Sequence, residues 1–441
     1  MRKPLIDIKT FKQRRSKLGE KAKGCAIIIA SHPEFIRNSD VHHYYRPDSY
    51  LFYLTGFEEP ESVLVFRPGC NPETVLFVRE KNLERETWDG FRFGPDLAQR
   101  EFGFDKCYPI SEFEKVTTDL LENIDKVYYR LNSNHEFDER FFAMLEKARL
   151  KKGRSGRGYP PIFDPHEVLS DLRLFKTEDE LPYIKKACSI SAQAHIEAMK
   201  FVKPGVSERQ LWGVILNSMM QQGAAREAYP AIVASGANAT TLHYVFNDQE
   251  CKSGDLLLVD AGAEYKYYAG DITRVYPVSG KFTRPQSIIY ETVLKIQKQI
   301  LAMIRPGIPF KSLQDKTIEL SVQALLDLGF LKGKPNEIIE QKSYQKYYPH
   351  GVSHFLGMDV HDVGYYTVDN ESRKIEKGML FTVEPGLYIS LGDTSVPSEF
   401  RGIGVRIEDD IFVTDIGIEV LTLEAPKEIN ELESIVGKKG G

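Results

Sequence analysis

Two neighbouring segments constrain this 441-residue chain more than any others: GDLLLVDAG (254–262) and AGDITRVYPV (269–278). They read as the two arms of a β-hairpin. Leu256-Leu257-Leu258-Val259 is apolar on both faces, the pattern of a strand covered on both sides. Yet the arms carry Asp260 and Asp271. A carboxylate in such a place must be paired, hydrogen-bonded or bound to a metal. One such Asp taken alone is better explained by a turn or an ion pair.

The pattern recurs. LFTVEPGLYI (380–389) sets Glu384 at the end of an apolar strand, before a proline. GVRIEDDIFV (404–413) puts Arg406, Glu408 and Asp410 on one face, because strand side chains alternate with period two. HGVSHFLGMDVHDVG (350–364) holds His350, His354 and His361, three of the ten histidines, in a glycine-broken loop. A lone histidine there would be a core residue. Acids on one hairpin, acids on two more apolar strands and this loop together point to one metal site. Carboxylates with an imidazole form a hard shell that suits Mn²⁺, with Co²⁺, Fe²⁺ or Zn²⁺ as alternatives. One ion rarely needs so many carboxylates. Two ions sharing them would hold a bridging hydroxide near neutral pH.

The rest of the chain sets the frame. Its length predicts two domains. CAIIIA (25–30), SVLVFRP (62–68), ETVLFVRE (73–80) and KVYYRL (126–131) read as strands. FKQRRSKL, SEFEKVTTDLLENI and ERFFAMLEKARL read as helices. Residues 1–174 are therefore expected to form an α/β domain, with a glycine-rich loop, KKGRSGRGYPP (151–161), near its end. A long helix is expected from Thr177, with Thr177 and Glu180 as a capping box. Residues 175–441 then read as an α+β domain, a curved antiparallel sheet covered by helices.

Net charge is −5, from 58 basic and 63 acidic residues without a single-sign block. Neither nucleic acid nor a membrane surface is expected as a partner. The N-terminal stretch lacks the apolar core of a secretory signal. The five cysteines are scattered, with no C-x-x-C pair, which predicts a reducing, cytoplasmic setting.

In the order Asp, Asp, His, Glu, Glu, the five candidate ligands and their contexts resemble the pita-bread metallopeptidases. Within them the chain is most similar to aminopeptidase P, through VDAGAEYKYYAGDITR, HGVSHFLGMDVHDVG, TVEPGLYI and RGIGVRIEDD, and through YYRPDSYLFYLTGFEEPESVLV and ETWDGFRFG earlier on. The resemblance implies a C-terminal pita-bread fold and hydrolysis of an N-terminal Xaa-Pro bond by a metal-bridging hydroxide. It implies that Asp260, Asp271, His354, Glu384 and Glu408 hold two divalent ions, with Asp271 and Glu408 as bridges. Glu384 would also move a proton, or act as a ligand alone. His243 and His361 would steady the oxyanion, and His350 would flank the proline pocket. Tyr366 and Arg406 would support the metals, with Asp40 from the N-terminal domain, and Trp88 would reach a neighbouring subunit's site in a homodimer or homotetramer. The rival in the same family is prolidase, which takes only Xaa-Pro dipeptides. Non-catalytic pita-bread proteins that bind partners typically lose metal ligands, and this chain keeps every one.

Overall fold

The computed structural model describes residues 3–151, 153 and 158–438. The chain divides into two compact units, Met1–Leu172 and Arg173–Gly441. No described helix is long and apolar enough to cross a membrane.

The first unit is built on a six-stranded mixed sheet. Its inner strand Cys25–Ala30 pairs antiparallel with Val63–Phe66 and parallel with Lys126–Tyr128. Ala26 and Ile28 point to one face, where Phe113, Phe137 and Phe141 from the helices Phe113–Leu120 and His135–Lys151 close over them. This two-sided cover is why CAIIIA is apolar at every position. The strand expected over 126–131 stops at Tyr128, and the helix expected over SEFEKVTTDLLENI is confined to Phe113–Leu120. Short strands at Lys106–Pro109 and Ile162–Phe163, with no apolar run of their own, complete the sheet edges. The loop expected over 151–161 lies in part outside the described residues.

The second unit is α+β. Among the described residues its ladders are antiparallel: Ile232–Ser235 with Leu256–Asp260 with Thr273–Pro277, Leu380–Val383 with Asp409–Val413, and Gly386–Tyr388 with Gly404–Arg406. Helices Leu181–Phe201, Glu208–Gln221, Arg284–Met303 and Lys311–Asp327 contribute to the cores that cover them.

The helix expected from Thr177 begins at Leu181. Glu180 turns its side chain back, accepting from the Thr177 N–H and hydroxyl, both at 2.9 Å. Pro182 then occupies the first helical turn, where its missing N–H costs nothing. The capping-box residues thus form a separate turn before the helix.

The expected hairpin is present in two tiers. An outer ribbon pairs Leu256–Asp260 with Thr273–Pro277, and an inner hairpin pairs Ala263–Tyr265 with Tyr268–Ala269. Glycines stand where the tiers meet. A Cβ on Gly262 would lie 1.7 Å from the Gly270 carbonyl oxygen, and one on Gly270 would lie 2.8 Å from Ser191 Oγ. The glycines beside the two acids are therefore spacers that let the ribbon fold back against the helix Leu181–Phe201.

Candidate metal centre

The ends of the apolar strands converge on one cavity of about 520 Å³. Asp260, Asp271, His354, Glu384 and Glu408 all line it, as do His243, His350, His361 and Arg406. Asp260 ends its strand, opposite Thr273. Glu408 sits in the break between the strands Gly404–Arg406 and Asp409–Val413.

Ligand atoms of Asp271, His354 and Glu408 lie within 4.8 Å of one another. Nε2 of His354 is 3.4 Å from Asp271 Oδ2, 3.6 Å from Glu384 Oε1 and 3.9 Å from Glu408 Oε1. These separations are mostly too long for hydrogen bonds. They suit atoms that share an ion at bonds of about 2.1 Å, whose partners then sit roughly 3–4 Å apart. Nδ1 of His354 faces the Phe355 carbonyl at 3.1 Å, so the ring donates there and leaves Nε2 as an electron-pair donor.

The residues around the acids are too few in positive charge. Arg406 donates to Asp260 Oδ2 at 2.6 Å, to Tyr388 Oη at 3.0 Å and to Thr273 Oγ1 at 3.0 Å. Thr273 in turn donates to Glu408 Oε2 at 2.6 Å. Tyr229 contacts Asp260 Oδ1 at 2.7 Å and also Asp271 Oδ1, with one phenolic proton for two carboxylates. Burial, and then the charge of Asp271 and Glu384, pushes Glu408 well above the ordinary carboxylate range. Burial raises Glu384 to about 7, against the pull of His354 and Arg406. Burial opposes a charge on His354, yet Asp271 and Glu384 raise it to about 9. Without a cation, this cluster balances its charge only by holding extra protons. Hard oxygen donors, one free imidazole nitrogen and uncompensated negative charge fit divalent metal ions.

His361 packs edge-on against His354, ring centroids 4.5 Å apart, and burial lowers its pKa. His350 is also held neutral, its pKa lowered by burial to about 4. Its Nδ1 faces the Gly351 carbonyl at 2.8 Å and its Nε2 accepts from Tyr388 at 2.8 Å. Tyr366 does not line the metal cavity. It lines an adjoining cavity that shares Gly351 and Ser353 with the first. Its hydroxyl accepts from the Phe355 N–H at 3.0 Å, and its ring stacks on Phe355 at 4.4 Å. Asp410 is likewise absent from the cavity lining. It accepts from the Asp271 N–H at 2.9 Å and from Cys188 Sγ at 3.2 Å. Asp40 and Trp88 belong to the first unit, where both are exposed, Trp88 at 81 %.

Sequence reasoning missed Tyr229, Thr273 and Tyr388. Tyr229 opens YPAIVASG (229–236), which reads as a strand-like segment, and Thr273 reads as an ordinary β-branched strand residue. Tyr388 was the one with a signal, four positions beyond Glu384 on the same apolar segment.

Residues 182–415 match Metallopeptidase family M24. Residues 11–128 match the family described as Aminopeptidase P, N-terminal domain. The chain belongs to metallopeptidase family M24. Among M24-type relatives, it is 40% identical to the Xaa-Pro aminopeptidase of Escherichia coli, over 98% of each chain. It is 36% identical to Xaa-Pro aminopeptidase 3 of Homo sapiens, over 95% of this chain and 82% of that protein. Its structure resembles that of aminopeptidase PepP from Pseudomonas aeruginosa with a TM-score of 0.93 at 41% identity, covering 98% of each. As an M24 metallopeptidase the chain works with divalent metal ions, and the carboxylate–histidine cluster is the group suited to hold them.

Proposed function

We propose that this M24 protein is a Xaa-Pro aminopeptidase, removing the first residue of a peptide whose second residue is proline. The observation that carries the reading is the convergence of Asp260, Asp271, His354, Glu384 and Glu408 on one cavity, in a chain similar over almost its whole length to Xaa-Pro aminopeptidases. Asp260, Asp271, His354, Glu384 and Glu408 would hold the two divalent ions. The oxygen-rich donor set favours Mn²⁺.

When bound, the ions supply Lewis acidity and a nucleophilic water at neutral pH. The chain's own residues do the rest. Glu384, buried and facing His354 and Asp271, takes the proton released by the attacking water and returns it to the prolyl nitrogen. His361 and His243 donate to the oxyanion as the carbonyl becomes tetrahedral. His361 is biased to the neutral form, so one ring N–H serves this purpose. Both nitrogens of His350 are engaged by Gly351 and Tyr388, so it offers the substrate a ring face, suited to flank proline. Arg406 holds Asp260 and, through Thr273, Glu408. Tyr366 backs the loop of His354 through Phe355. The Xaa-Pro bond has no N–H and a fixed φ at proline, so a peptidase that needs that N–H does not accept it.

The protein acts in the cytoplasm, in keeping with five free cysteines. It self-associates as a homodimer or homotetramer, with the exposed Trp88 of one subunit serving the substrate path of another. The test is a mass-spectrometric digest of Ala-Pro, Ala-Pro-Ala and Ala-Ala-Ala by the Mn²⁺-loaded protein. Free alanine from Ala-Pro-Ala, with Ala-Ala-Ala intact, supports the reading. Loss of Ala-Pro alone assigns prolidase instead.

A further inference from the structure

His243 is exposed on the segment after the 3₁₀ turn Gly236–Thr240, and it makes no hydrogen bond among the described residues. Its place in the cavity wall is therefore set by the backbone that carries it. That backbone is fastened to one side chain. Glu208, fully buried at the first turn of the helix Glu208–Gln221, receives five hydrogen bonds from the segment 235–249 that contains the turn and His243. Its Oε1 accepts from the Ser235 N–H at 2.8 Å, Ser235 Oγ at 2.7 Å and Asn238 Nδ2 at 3.0 Å. Its Oε2 accepts from Tyr244 Oη at 2.9 Å and the Gln249 N–H at 2.9 Å. The donors span both ends of the segment, and Tyr244 follows His243 directly.

A core carboxylate is an unusual choice for a loop anchor unless its geometry matters. It accepts several donors along fixed directions, and charge-assisted bonds of this kind are the strong ones. The helix N-terminus adds a favourable field. A second hold comes from Asn247, in the left-handed region at φ 47°, which accepts from the Val233 N–H and donates to the Ala231 carbonyl. On the other side the 3₁₀ turn lies against Gly404, where a Cβ would sit 2.1 Å from the Ala239 carbonyl oxygen. Gly404 begins the strand that ends at Arg406.

We infer that Glu208 is a positioning residue for the reaction: through Tyr244 it fixes His243 against the cavity. The inference rests on His243 acting on the substrate, as proposed above. A displacement of about 1 Å at such a group costs up to roughly 100-fold in rate.

The experiment uses Tyr244→Phe, which deletes one donor and keeps the ring, alongside the more severe Glu208→Gln. In the metal-loaded protein, kcat on Ala-Pro-Ala falls by roughly 10- to 100-fold in Tyr244→Phe, with KM and metal content nearly unchanged. In a His243→Ala background the same change adds less than about twofold, because the group it positions is gone. Hydrogen exchange by mass spectrometry reads the placement without reference to activity. Amides of 241–246 exchange faster in both variants while those of 256–278 do not. Unchanged exchange at 241–246, or an equal loss in the wild-type and His243→Ala backgrounds, overturns the inference. Faster exchange with a fully active His243→Ala protein instead removes the role proposed for His243 and leaves the anchoring by Glu208 standing.

Discussion

The hydroxyl of Thr273 donates to Oε2 of Glu408 at 2.6 Å, and both side chains are almost fully buried. The Thr273 hydroxyl oxygen in turn accepts from Arg406 Nε at 3.0 Å. A threonine thereby orients a candidate ligand from the neighbouring strand. Thr273→Val keeps the shape and removes both bonds. It is expected to weaken metal binding by about 10- to 100-fold, as loss of such supporting partners does. Thr273→Ser is expected to bind nearly as the wild type. Calorimetric metal titration of both variants checks this.

The crowding of acids predicts an inverse relation between function and metal-free stability. Asp271 and Asp260 share one tyrosine proton, and burial raises the pKa of Asp271. Asp271→Asn removes a charge from this group. Without metal it should melt at or above the wild-type temperature. Added Mn²⁺ should raise the wild-type melting temperature through binding to the native state and raise that of the variant far less. Thermal melts with and without chelator decide it.

His195 sets a pH limit. It is fully buried and donates from Nε2 to the Ala261 carbonyl at 3.0 Å. Burial lowers its pKa from 6.5 to about 4. The unfolded chain therefore takes up this proton first as pH falls. The stability involved is complete above pH 6.5 and is lost as pH falls towards 4, roughly 2–3 kcal/mol by pH 4.5. Urea unfolding of metal-free protein should show this slope, and His195→Gln should flatten it.

Trp88 is 81% exposed on the helix Leu83–Asp89, none of whose residues is buried. Trp88→Ala should shift unfolding by no more than about 0.5 kcal/mol. If the residue serves the substrate path of another subunit, kcat/KM falls while the melt is unchanged. Equal kcat/KM would remove it from the site.

Much of the site was legible in the sequence because a carboxylate in an apolar strand violates a local rule. Asp260, Glu384 and Glu408 each break such a run, and the cavity gathers all three. Tyr229 and Thr273 break no rule, so nothing local marks them. Their roles come from partners 31 to 135 residues away. Asp410 shows the opposite error. Period two places it with Arg406 and Glu408, but it turns to the Asp271 backbone behind the cavity. The helix start slipped from Thr177 to Leu181 because two local signals competed, the Thr177–Glu180 turn and Pro182.

The most direct test of the account is the number of Mn²⁺ ions that the metal-free wild-type protein binds, read by calorimetry beside its activity on Ala-Pro-Ala. Two ions per chain, with activity appearing as they bind and both lost in His354→Ala, is the predicted result. Full activity with no bound ion would contradict it, because the buried acids would then need no cation.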